Sequence, residues 1–143
     1  MISYLMLRAS IFYLIYLCLK LKLVKTILKL EEAAMTAMGI YFLSICNLNL
    51  SFWVWTVLFF TPDIGMLGYL INTRIGAFTY NLFHHKGIAV VLAVSGFYFN
   101  NDVLTAVGIL LFAHASFDRI MGYGLKYEDS FKNTHLGSLE KNK

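Results

Sequence analysis

Apolar residues come along this chain in long runs, separated by short polar breaks. One run extends from about Glu32 to Cys46 and stops at Asn47, Leu48 and Asn49. The next extends from Ser51 to Ile71 and stops at Asn72, Thr73 and Arg74. A third covers Gly76 to Phe99, ending at Asn100, Asn101 and Asp102, and a fourth covers Val103 to Gly122, ending at Gly122, Tyr123 and Gly124. A helix that crosses a bilayer needs about 20 largely apolar residues, so the runs predict four spans. Each break carries Asn, Asp or Gly, the residues that turn a chain. Breaks this short make successive helices antiparallel neighbours. The predicted fold class is therefore all-α, a polytopic transmembrane four-helix bundle. A single proline in 143 residues fits helices better than a barrel with its many turns.

Composition excludes the soluble classes. Hydrophobic residues make up 59% of the chain and charged ones 14%, where a soluble domain carries about a quarter charged residues. Between Ala33 and Asp118 the only charges are Asp63, Arg74, Lys86, Asp102 and Asp118. An ordinary cytoplasmic enzyme and a nucleic-acid binder are both ruled out, and the bilayer becomes the expected partner. Cys18 and Cys46 lie inside apolar runs, where thiols act as small hydrophobes.

Residues 1–30 admit three readings. Apolar residues up to Leu19, interrupted by Arg8, precede Lys20, Lys22, Lys25 and Lys29. They form a fifth span, an interfacial helix or an N-terminal extension; a cleaved signal peptide lacks its basic start and cleavage site. Lys and Arg gather before the first span, at Arg74, and at Arg119, Lys126 and Lys132, while the first and third breaks hold none. The positive-inside rule then places the C-terminus in the cytoplasm.

Depth supplies the functional signal. Asp63, His84 and His114 each lie eight residues from the predicted cytoplasmic end of their span, or about 12 Å at 1.5 Å per residue. Asp118 lies one turn nearer the cytoplasm. Ionisable residues are costly in a membrane and face a bundle interior or a cavity. His114 and Asp118, at i and i+4, share a helix face, as Asn81 does with His84 or His85. Pro62 breaks or kinks the second span beside Asp63, with Thr61 placed to cap a new half-helix and a carbonyl near Leu58 left without its donor.

Imidazole and carboxylate together suit zinc, manganese or iron. The candidate ligands are Asp63, His84, His85, His114 and Asp118. Asp63, Asp118 and Arg119 are the candidate catalytic groups, with Arg119 or Lys86 holding an anionic group of a lipid-linked or phosphoester substrate. Three other readings use the same residues: a proton-coupled transporter, a haem protein with His84 and His114 as axial ligands, and a non-catalytic protein in which they tie helices together. Glu31 and Glu32 would favour a helix N-terminus. The tail from Tyr123 to Gly137 either anchors at the interface or folds back as a lid that delivers His135.

Several of these motifs together resemble a known family. They are Leu30–Ala34, Pro62–Asp63 with Met66–Tyr69, Tyr80–His84, His114–Arg119, Gly122–Tyr127 and Thr134–Gly137. From about Lys25 to Gly137 the chain resembles a small bacterial membrane family catalogued as domain of unknown function 4260. The resemblance implies a multi-pass protein of the bacterial cytoplasmic membrane and no particular activity. It divides the chain into an extension, 1–24, a four-helix domain, 25–137, and a tail, 138–143. Pro62–Asp63, His85-Lys86-Gly87 and His114–Asp118 also resemble, in order, elements of small membrane-bound metal-dependent hydrolases. Those proteins carry an early Thr-His pair that has no counterpart here.

Overall fold

The computed structural model describes residues 2–46 and 48–139, with side chains from residue 12 onward. The chain divides into two compact units, Met1–Glu31 and Glu32–Lys143. Helix α1, Ile2–Ser44, begins in the first unit, where the described side chains are exposed except Leu17. No Gly or Pro occurs before Gly39, so nothing ends the helix at the predicted boundary. Glu31 and Glu32 therefore lie inside a helix rather than at an N-terminus, and their expected capping role falls away.

The second unit adds four α-helices and a ten-residue 3-10 segment. Helix α2, Phe52–Phe59, is capped by the Ser51 hydroxyl, which accepts from the Val54 N–H. The predicted second span then breaks where Pro62 offers no N–H. The Leu58 carbonyl loses its i+4 donor, and the Thr61 hydroxyl replaces it at 2.7 Å. Thr61 thus serves the preceding carbonyl, and Phe60 stands at the N-cap position without a side-chain bond. Asp63 N–H donates to Phe60 at 3.3 Å, an i−3 bond, and the chain continues as a 3-10 helix over Thr61–Leu70. Runs of this type seldom exceed three or four residues. Contact with the next helix holds this one: the Thr79 hydroxyl donates to the Gly65 carbonyl at 2.6 Å, and a Cβ on Gly65 would stand 2.9 Å from the Thr79 carbonyl oxygen.

The predicted third span is also two helices. Helix α3, Thr73–His84, is capped by Asn72. Helix α4, Lys86–Tyr98, is capped by His85, whose Nδ1 accepts from Ile88 N–H at 3.3 Å. His85 is extended (φ −85°, ψ 106°), and no Gly or Pro marks the break. Helix α5, Asp102–Met121, is continuous, capped by Asn101 and ended by Gly122 at φ +96°, with Tyr123 N–H returning to the Asp118 carbonyl. After it comes a C-terminal hook. Strand β1, Asn133–Thr134, pairs antiparallel with β2, Gly137–Ser138, and Lys126 bridges to Thr134.

The chain is thus predominantly α-helical, as predicted, but its segmentation corrects the prediction of four whole spans. Among the described residues, α5 alone is long and apolar enough to cross a membrane unaided, while α4 is apolar but shorter. Pro62 and His85 cut the second and third runs in two.

Small residues bring the helices together. A Cβ on Gly108 of α5 would stand 2.7 Å from the Ala89 carbonyl oxygen and from Ala93 Cα, both on α4. One on Gly39 of α1 would stand 2.7 Å from the Ala113 Cβ of α5. Close backbone approach at small residues is how helices associate where lipid removes the hydrophobic drive. Polar contacts finish the junction: Glu32 of α1 pairs with Lys86 at the start of α4 and with Arg119 near the end of α5, the latter at 3.6 Å. Gly108→Ala forces α4 and α5 apart and is expected to cost about 1–3 kcal/mol, read as a lower thermal unfolding midpoint in detergent.

Candidate metal centre

Three elements each contribute to one polar cluster. The 3-10 segment supplies Asp63, the last residue of α3 supplies His84, and α5 supplies His114 and Asp118. One ligand atom from each of the four lies within 4.8 Å of all the others. His84 Nε2 stands 3.1 Å from His114 Nε2, 3.3 Å from Asp118 Oδ2 and 3.6 Å from Asp63 Oδ1. His114 Nε2 stands 3.5 Å from Asp63 Oδ1 and 3.8 Å from Asp118 Oδ1. His84, His114 and Asp118 are buried, and Asp63 lies at the rim with 36% of its side chain exposed.

The outer contacts decide which ring nitrogens face inward. His84 Nδ1 lies 2.8 Å from the Tyr80 carbonyl oxygen, one turn back on α3. A carbonyl only accepts, so Nδ1 carries the proton and Nε2 of the neutral ring presents a lone pair. His114 Nδ1 is buried and makes no hydrogen bond, and the neighbouring Phe59 loses a partner for its main-chain carbonyl. That carbonyl precedes Pro62 by three residues, and the N–H that an α-helix would bring to it, from Asp63, bonds Phe60 instead. The proline break thus frees a backbone acceptor on the residue whose ring packs against His114. The rings of Phe59 and Phe60 stand edge-on to the His114 ring, with centroids 5.4 and 6.4 Å away. Tyr80, fully buried, stacks on His84 at 3.8 Å, and its hydroxyl donates to Asp118 Oδ2 at 2.6 Å.

Two imidazoles and two carboxylates therefore converge, with the His84 Nε2 lone pair and both carboxylates acting as acceptors. Asp63 Oδ1 is buried and lacks any hydrogen-bond partner. A shared proton satisfies one pair of such atoms; a divalent cation satisfies all four. Four ligands about 2.0–2.1 Å from a zinc-sized ion in a tetrahedron stand about 3.3 Å from each other; the contacts made by the two imidazoles run from 3.1 to 3.8 Å, and the four ligand atoms lie within 4.8 Å of one another. The donor set and its spacing fit a metal ion.

Residues 25–139 match the family model described as Domain of unknown function (DUF4260). The chain belongs to this family. The DUF4260 region contains all four cluster residues, both helix breaks and the C-terminal hook. No curated protein and no solved structure matches the chain, so the resemblance to metal-dependent hydrolases rests on its own residues alone.

The other residues picked out from sequence go elsewhere. His85, adjacent to His84, caps α4 and lies outside the cluster. Arg119 and Lys86 both pair with Glu32. His135 accepts from Leu125 N–H at 2.8 Å and serves the hook's own fold. Asn81 clamps the hook: its side chain accepts from Lys126 N–H at 2.7 Å and donates to the Lys126 carbonyl at 2.9 Å. Sequence reasoning missed Tyr80. Its signal is the i−4 spacing from His84, which puts both on one face of α3. Nitrogen-15 NMR of the metal-free protein above neutral pH is expected to show His84 protonated at Nδ1 and bare at Nε2; the opposite tautomer removes the inward lone pair.

Proposed function

We propose that the protein is a multi-pass protein of the bacterial cytoplasmic membrane that holds one divalent metal ion on Asp63, His84, His114 and Asp118 and hydrolyses a lipid-linked or phosphoester substrate. The convergence of two imidazoles and two carboxylates, with Asp63 Oδ1 buried and unpartnered, carries the metal half of the reading. Zinc, manganese and iron all suit two imidazoles and two carboxylates. A bound divalent ion supplies Lewis-acid polarisation of the phosphoryl group and acidifies water at neutral pH. Asp63, at the rim, is the carboxylate placed to take a proton from water, while Asp118 is held by Tyr80. Four protein ligands would close a tetrahedral site, so turnover needs Asp63 to give way or a six-coordinate ion with open positions.

The surface supports the membrane half. Phe52, Trp53, Leu70, Phe97 and Phe99 are each at least 70% exposed, an apolar skin that a water-soluble domain avoids. Broken helices at membrane depth are tolerated where they are buried in protein or line a polar cavity, and both breaks here flank the cluster. An apolar cavity of about 510 Å³, lined among others by Pro62, Ile64, Phe83, Val107, Leu110 and Leu111, adjoins the elements that carry the ligands. Its one polar side chain, Thr61, spends its hydroxyl on Leu58. Such walls suit a hydrocarbon chain and favour the lipid-linked substrate over a soluble phosphoester.

The measurement that tests this is metal content of detergent-purified protein against the His114→Ala, Asp118→Ala double variant. About one ion per chain is expected, lost in the variant. Metal at 100 times its dissociation constant should stabilise wild type by about 2.7 kcal/mol. No metal in wild type, with pH-driven proton flux in liposomes, would favour the shared-proton, transporter reading, to which the 3.1 Å contact between the two Nε2 atoms is equally suited. Val107→Trp fills the apolar cavity, and it is expected to depress hydrolysis of long-chain alkyl phosphates at least tenfold while leaving metal content and short-chain hydrolysis unchanged.

A further inference from the structure

Among the described residues of the hook, 123–139, Lys126 is the one buried cation. It is 3% exposed, and its ammonium has no hydrogen-bond partner. Three aromatic rings surround it instead: Nζ lies 4.1 Å from the centroid of Phe131, 5.1 Å from Tyr80 and 5.4 Å from Tyr123. Rings this close present their negative faces to a cation. Asn81 fixes the Lys126 backbone through both its N–H and its carbonyl, so the root of the side chain is held in place. Burial pushes the Lys126 ammonium below its ordinary value, and the Asp118 carboxylate opposes that shift.

Tyr80 connects this cation to the cluster. One ring touches three groups: Lys126 lies over its face, the His84 ring stacks on it at 3.8 Å with planes 12° apart, and its hydroxyl donates to Asp118 Oδ2. A cation cannot occupy the 3.8 Å gap between stacked rings, so Lys126 and His84 lie on opposite faces of the phenol. Lys126 is thereby shielded from anything bound at the four ligands, and an anion-holding role toward substrate does not follow. A positive charge against a phenol face draws electron density from the ring and strengthens its O–H as a donor. Outer groups that orient metal ligands typically alter affinity by about 10–100-fold.

We propose that Lys126 is a positioning residue of the metal centre, acting through the Tyr80 phenol on the Asp118 carboxylate, so that docking of the C-terminal hook and metal binding reinforce each other. The proposal rests on the metal reading above. Linkage makes the coupling mutual: a hook that improves metal binding is itself held more firmly once metal is bound.

The test is cobalt(II) titration of the full chain in detergent, followed by visible absorption, with wild type, Lys126→Met, Lys126→Arg, Tyr80→Phe and the Lys126→Met, Tyr80→Phe double variant. Lys126→Met and Tyr80→Phe are each expected to weaken cobalt binding about tenfold and to shift the cobalt bands. The double variant should bind about as well as either single one, because both act on one hydrogen bond. Lys126→Arg should restore affinity. Phe131→Leu, which keeps the charge and removes one wall of its cage, gives an intermediate loss and serves if Lys126→Met does not fold. Limited proteolysis of the hook should slow when cobalt is added to wild type and not in Tyr80→Phe. Cobalt binding by wild type that Lys126→Met leaves unchanged overturns the role of Lys126 alone, as do losses that multiply in the double variant. No cobalt binding by wild type overturns the metal centre and, with it, this proposal.

Discussion

Two imidazoles and two carboxylates held against one another in an apolar interior define the problem this chain solves. Bringing Asp63, His84, His114 and Asp118 within 4.8 Å of one another costs desolvation and mutual repulsion, and buried charge is tolerated only when paired or coordinated. The surrounding contacts make the arrangement more extreme. The Tyr80 carbonyl takes the Nδ1 proton of His84, which leaves a bare Nε2 facing inward. The Tyr80 hydroxyl orients Asp118. The first contact fixes an inner atom as an acceptor and the second holds a carboxylate in place, the arrangement a cation requires.

The helix breaks follow from the same requirement. An unbroken α-helix satisfies its own carbonyls and has none to lend. Pro62 removes one N–H, the chain tightens to 3-10 geometry, and Thr61 repairs the exposed Leu58 carbonyl while Phe59 faces His114. The second break, at His85, separates two adjacent histidines into different jobs: His84 ends α3 inside the cluster and His85 starts α4 as its cap. A continuous helix through both would rotate them about 100° apart on one cylinder and leave α4 without its capping acceptor. Lipid-facing breaks would leave carbonyls unsatisfied; here protein groups meet them.

Much of this was legible in the sequence, for reasons that can be named. The helical class followed from apolar runs and Asn/Gly breaks, and α5 matches its run almost to the residue because Asn101 and Gly122 are strong terminators. Equal depth in three runs pointed to Asp63, His84 and His114 together, and the i, i+4 rule added Asp118. What escaped notice had weak local signals. Nothing between Lys20 and Glu32 announces that α1 continues through, since only Gly or Pro would have ended it. The break at His85 carries neither residue; a histidine cap is visible only once the backbone is extended. Choosing between His84 and His85 needed the side-chain direction that the break sets. Tyr80 read as one more aromatic among many, because stacking and a hydroxyl bond to a residue 38 positions away leave no periodic trace.

The cations have partners that charge along the chain does not show. Lys86 and Arg119 stand near the ligands in sequence and looked like anion holders, but Glu32 sits mid-helix where α1 crosses both and engages the pair. That contact was hidden by reading Glu32 as a helix start. It leaves Lys126, from a segment that reads as a surface tail, as the cation the interior actually takes in. Aromatic faces hold it where a carboxylate would have neutralised it, so its field stays directed at the Tyr80 phenol and the Asp118 beyond. A buried ion pair at that position would have satisfied Lys126 locally and uncoupled the hook from the cluster. The cage thus makes the difference between a charge that is stored and one that acts.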